Sequence, residues 1–145
     1  MSSFEWIQIG TACLGSLGFG VLFNMRRQRL LAAAIGGLLA WGIFLLLAFW
    51  LSAEPLIYFI VSLLISVYAQ IVARILKTPA TPISITALIP LIPGSSLYYT
   101  MASAFQGISG KFVAKAVTTL ELATALALGI ILVSALSRFS VKRRK

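Results

Sequence analysis

The sequence contains no histidine and no aspartate, and its three acidic residues are Glu5, Glu54 and Glu121. That inventory removes serine–histidine–aspartate and cysteine–histidine nucleophile pairs, imidazole metal ligands and a paired-aspartate centre. A membrane-embedded enzyme would have to work with glutamates alone, and the usual catalytic constellations are missing. The single cysteine, Cys13, cannot build a disulfide framework or a thiolate metal site by itself, and it reads as a small buried apolar side chain. Nothing in the sequence calls for a metal or a cofactor. Charged residues are scarce as well, at 10% of the 145 residues, against roughly 25% in a soluble domain. Too few remain to build a water-facing surface.

What is abundant is apolar. Such residues make up 60% of the chain, and the mean hydropathy is +1.02. A lipid-facing surface accepts that composition. The net charge is +9, and ten of the twelve Lys and Arg fall in three clusters: Arg26, Arg27 and Arg29; Arg74 and Lys77; and Arg138, Lys142, Arg143, Arg144 and Lys145. Long apolar runs separate them. A nucleic-acid-binding domain would spread its cations over one folded face, so this pattern argues against nucleic acid.

A helix needs about 20 apolar residues to cross the hydrocarbon core of a bilayer. Five segments meet that need, at about 4–23, 30–50, 55–73, 83–104 and 112–136. The expected fold is therefore an all-α, multi-pass integral membrane protein, a single transmembrane domain over 1–145 with a basic tail at 137–145. The first segment has no basic residue ahead of it, unlike a secretory signal peptide, and reads as a retained span. Basic residues favour the cytoplasmic side. With the N-terminus outside and the C-terminus inside, ten of the twelve Lys and Arg lie in the cytoplasm, leaving Lys111 and Lys115 outside. If the fourth segment dipped in and returned on one side, the cationic tail would face outward. The segment is therefore expected to cross.

That fourth segment holds the sharpest feature, Ile89-Pro90-Leu91-Ile92-Pro93-Gly94-Ser95-Ser96-Leu97-Tyr98. Each proline removes a helical hydrogen bond and clashes with the preceding turn. Together with Gly94 they predict a break near the middle of the span, close to the bilayer midplane. Backbone groups freed there must be buried in protein or line a wet cavity. A second half-helix is expected to restart with Ser95 or Ser96 as its N-cap, and its unpaired N–H groups would attract a carboxylate. Pro90, Pro93, Gly94, Ser95, Ser96 and Tyr98 are thus candidate substrate contacts. The plainer alternative is a proline kink that only shapes packing.

Ser62, Ser66, Ala69, Gln70 and Ala73 share one face of the third segment. Ser62, Ser66 and Gln70 are candidates for lining a substrate path or for interhelical hydrogen bonds. Glu121, inside the fifth segment, is expected to point into the bundle because Thr118, Ala125 and Gly129 fall on the same face. It is the candidate for proton coupling, with a structural hydrogen-bonding role as the alternative. Two rows of small residues, Ala12/Ser16/Gly20 and Ala32/Gly36/Ala40, allow close helix contact within the chain or with another chain, including a further copy of itself.

Three stretches together resemble the threonine/serine exporter family, and specifically its small five-helix subunit type, also described as part of a two-component succinate exporter. They are Ser16-Leu17-Gly18-Phe19-Gly20-Val21-Leu22-Phe23-Asn24, then Ala73-Arg74-Ile75-Leu76-Lys77-Thr78-Pro79-Ala80-Thr81, then Ile89-Pro90-Leu91-Ile92-Pro93-Gly94 with Leu97-Tyr98 and Met101. The family often has a run of glycines after the second proline, where this chain has Gly94-Ser95-Ser96. The resemblance implies export of a small carboxylate metabolite (threonine, serine or succinate) from a bacterial cell across its inner membrane. It also implies a larger membrane subunit as partner. The rival reading is a non-transporting accessory or scaffold subunit.

Overall fold

The computed structural model describes residues 3–107 and 109–142. Residues 143–145 of the expected basic tail lie outside them. The described chain is helical, with no strand among the described residues. The helices are α1 (Ser3–Leu22), α2 (Gln28–Trp50), α3 (Glu54–Ile75), α4 (Ala80–Leu88), α5 (Gly94–Phe105) and α6 (Ser109–Lys142), with a 3₁₀ turn at Ile89–Leu91 between α4 and α5.

Local sequence explains where the helices stop and start. After α1, Asn24 takes a left-handed backbone (φ 54°), and the Met25 N–H reaches back to the Gly20 carbonyl at 2.9 Å. Asparagine is one of the few residues that accept that conformation. The same closure ends α3, where the Thr78 N–H donates to the Ala73 carbonyl at 2.9 Å and Lys77 takes the left-handed position (φ 49°). Pro55 stands in the first turn of α3, where its missing N–H costs nothing.

Small residues set the packing. A Cβ on Gly37 of α2 would overlap the Ser16 hydroxyl of α1, and one on Gly20 would lie 2.6 Å from Leu30 Cδ1. A Cβ on Gly36 would lie 2.6 Å from the Ala87 Cβ of α4 and 3.2 Å from the Tyr68 ring. Both small-residue rows are therefore used inside the chain. The Tyr68 hydroxyl of α3 donates to the Ala32 carbonyl of α2 at 2.9 Å, and Phe44 meets Tyr58 edge-on at 5.5 Å. Residue numbers rise on one helix as they fall on the other, so α2 and α3 are antiparallel. One buried cluster gathers Ala40, Ile57, Val61, Ile65 and Leu91; the other gathers Met25, Ala33, Ala69, Ala73 and Ile83.

Helix α6 runs parallel to α3. A Cβ on Gly129 would overlap the Ser62 hydroxyl and lie 2.9 Å from the Phe59 carbonyl. Further along, Ser137 and Gln70 share a cavity wall. The same eight-residue step separates each pair, which puts Glu121 about level with Glu54 at the start of α3. Residues 109–120 of α6 extend past that level, and α5 packs along them, joined by a Thr100–Thr119 hydroxyl contact at 3.0 Å.

By length and composition, α2, α3 and the 110–137 part of α6 can cross a membrane, and the bent pair 80–91 and 94–105 brings the number to four. Helix α1 is not among them. Glu5, Gln8 and four glycines (Gly10, Gly15, Gly18 and Gly20) dilute its apolar content. The charges divide between the ends. The Arg26–Arg29 turn, Arg74 and Lys77 lie at one end, while Glu5, Glu54 and Glu121 lie toward the other, with Lys111 and Lys115 beyond them on α6.

Candidate functional site

The break in the fourth segment is present, with a 59° bend between its halves. Pro90 and Pro93 cannot donate to the carbonyls of Thr86 and Ile89. The Ile89 carbonyl instead accepts the Ile92 N–H at 3.1 Å, the tighter closure of a 3₁₀ turn. The second half-helix starts at Gly94 with Pro93 as its N-cap, and no side chain caps it. The expected serine cap is therefore replaced. The turn closes through the Gly94 N–H on the Ile92 carbonyl at 2.6 Å, which places Ser95 and Ser96 inside the first turn, after the cap position. The break also sits off centre. Pro90 shares a cavity wall with Trp41, which lies toward the Glu54 end of the bundle, so Pro93 lies beyond the midpoint of α3 rather than at it.

Beside Pro90 is a cavity of about 250 Å³ lined by Gln8, Thr11, Ala12, Gly15, Trp41 and Ile89. The Trp41 indole N–H donates to Gln8 Oε1 at 3.4 Å. The Thr11 hydroxyl donates to the Gln8 carbonyl at 2.9 Å. The cavity is mostly apolar, with a few fixed polar groups at an interruption of the backbone, which suits a small metabolite with one or two polar ends. Gln8, Thr11 and Trp41 were not singled out by the sequence as contacts. A glutamine inside the apolar first segment was the available signal.

The sequence candidates separate into groups. Pro90 lies at this cavity. Gly94, Ser95 and Tyr98 are exposed on α5, Pro93 and Ser96 half-buried, and a Cβ on Gly94 would meet nothing within 4 Å. Ser62 and Ser66 are buried together on α3. Ser62 Oγ donates to the Phe59 carbonyl at 2.9 Å beneath Gly129, whereas Ser66 Oγ has no partner among the described residues. Gln70 opens on a different cavity, at the basic end.

Glu121 does not point into the bundle of this chain: it is exposed, and its neighbour Leu122 is 2% exposed. The buried stripe of α6 runs through Leu122, Gly129 and Val133, with Leu126 packed beside it. One residue is a rotation of about 100° on a helix. Thr118 accordingly faces outward with Glu121.

The chain matches the family model described as "Threonine/Serine exporter, ThrE" over residues 8–136. The chain belongs to the threonine/serine exporter family. No curated protein and no solved structure matches it. The match covers both walls of the cavity, from Gln8 on α1 to Pro90 at the break, and it reaches almost to the end of the apolar part of α6. The broken helix and the cavity beside it depart from simple helix packing. The family is one of membrane transporters rather than enzymes.

Proposed function

We propose that this chain is the small membrane-embedded subunit of a secondary exporter that carries small carboxylate metabolites out of a bacterial cell, together with a larger subunit of the same family. Threonine and serine are the metabolites in the family's description. Succinate is the further candidate from the resemblance of the sequence. The observation that carries this reading is the interruption of an apolar helix at Pro90–Pro93 beside a cavity with Gln8, Thr11 and Trp41 in its wall. Broken backbone at membrane depth has to be buried in protein or line a cavity, and here a cavity lies beside it.

In this reading the chain crosses the cytoplasmic membrane five times, with the N-terminus outside. Helix α1 crosses because it is tied along α2 by the Ala12/Ser16/Gly20 row. The end bearing Arg26, Arg27, Arg29, Arg74 and Lys77 faces the cytoplasm. Thr118, Glu121 and Thr124 are exposed on α6. Polar groups within a membrane favour a protein neighbour over lipid, which supports a partner subunit on that face. Proton coupling through Glu121 then depends on the partner enclosing it.

The test is efflux of threonine, serine and succinate from cells expressing this chain alone, the larger subunit alone, or both. Efflux only with both is expected. The variants Gly94→Leu and Ser95→Phe place bulk at the break, where there is open space. Lost efflux with the complex intact supports a transport path, and lost assembly supports a non-transporting scaffold.

A further inference from the structure

The basic end of the bundle holds a second cavity, about 650 Å³, between the end of α3, the turn into α4 and α6. Gln70, Arg74, Lys77 and Thr78 line it, with Ser137 on the α6 side. Two cations share this space, and neither has an ion pair among the described residues. The three glutamates lie toward the opposite end, so the chain supplies no described counter-ion.

Lys77 gives an independent observation. Its φ of 49° is a conformation that suits glycine and strains other residues. It occupies the left-handed position that closes α3, where glycine is the usual residue. The equivalent position after α1 is Asn24, which tolerates the conformation. Backbone geometry alone favours glycine at this position, and Lys77 lines the cavity there. The first turn of α4 opens on the same cavity at Ala80 without a side-chain cap, adding potential of the same sign.

We propose that this cavity binds the carboxylate of a small metabolite, with Arg74 and Lys77 as its counter-ions; the identity of the ligand as cargo rests on the exporter reading above. The guanidinium offers a paired, planar donor set to a carboxylate, and the ammonium adds a point charge. Gln70, Thr78 and Ser137 are neutral partners for the rest of the molecule. The site is separate from the cavity at Pro90 and lies at the end where cytoplasmic cargo enters.

The test uses the full chain with its partner subunit in nanodiscs of zwitterionic lipid, with labelled succinate and labelled threonine as probes. Arg74→Gln and Lys77→Gly are each expected to weaken binding of at least one probe about tenfold or more, the scale of a charge-assisted hydrogen bond. Lys77→Gly is also expected to melt at the same or a higher temperature than the parent. A variant that is sturdier but binds more weakly separates a ligand role from a structural one. Unchanged dissociation constants in both variants overturn the proposal. So does a site that ignores both probes and responds only to phosphatidylglycerol added to the discs, which assigns it to lipid phosphate. Probe binding that depends on Arg74 and Lys77 in a complex that exports nothing keeps the site and removes the exporter reading. Export with an unchanged KM in Arg74→Gln keeps the exporter reading and removes the site.

Discussion

At the residue scale, single glycines and one strained arginine set what the fold tolerates. Gly129 packs α6 directly against α3. Because its Cβ would overlap the Ser62 hydroxyl, Gly129→Val is expected to cost about 3 kcal/mol, the upper range for forced overpacking. Thermal unfolding in detergent checks this, with Gly42→Val as the control, since a Cβ there meets nothing within 4 Å. Arg27 precedes α2 with φ 50° and ψ −119°, a conformation suited to glycine. Arg27→Gly is therefore expected to raise stability by about 1 kcal/mol, read as a higher melting temperature. The small-residue rows were legible in the sequence, because four-residue spacing puts them on one helix face. Which helix each row meets was not, since any row of that size fits any other.

At the element scale, the break and the phase of α6 behaved differently. Two prolines and a glycine dictate an interruption wherever they fall, so the 59° bend between the two halves follows from local chemistry. The cap did not follow, because Pro93 and the turn through Gly94 took the position that serine was expected to hold. Replacing Pro90 and Pro93 together with alanine restores both donors. Efflux is expected to fall at least tenfold with the chain still in the membrane, while loss of the chain from the membrane would show that the prolines serve folding. Gln8→Leu removes the acceptor of the Trp41 indole. It is expected to raise the KM for efflux about fivefold, the scale of one neutral hydrogen bond, with little change in expression. The face of α6 was misread because the helix is apolar nearly all round. Thr118 and Glu121 were expected on its inner face, and both are exposed.

At the scale of the whole molecule, the bundle is electrically divided. Arg26, Arg27, Arg29, Arg74 and Lys77 gather at one end, and the three glutamates lie toward the other together with Lys111 and Lys115. In the proposed orientation, a cysteine introduced at Arg29 in a Cys13→Ser background is expected to react with a membrane-impermeant thiol reagent only after the cell is opened. A cysteine at Ser52 is expected to react in intact cells; the reverse pattern would invert the topology. Membrane character, the helical class and the interruption at Pro90–Pro93 were determined by the sequence alone. Composition decides which solvent a surface can face, and proline acts on its own backbone. Only the tertiary structure decided that Gln8 and Trp41 meet beside Pro90, that Arg74 and Lys77 share one cavity, and that Glu121 turns away from the core. Those relations depend on the register and rotation of whole helices, which apolar sequences leave open until small residues such as Gly37 and Gly129 lock one helix against another.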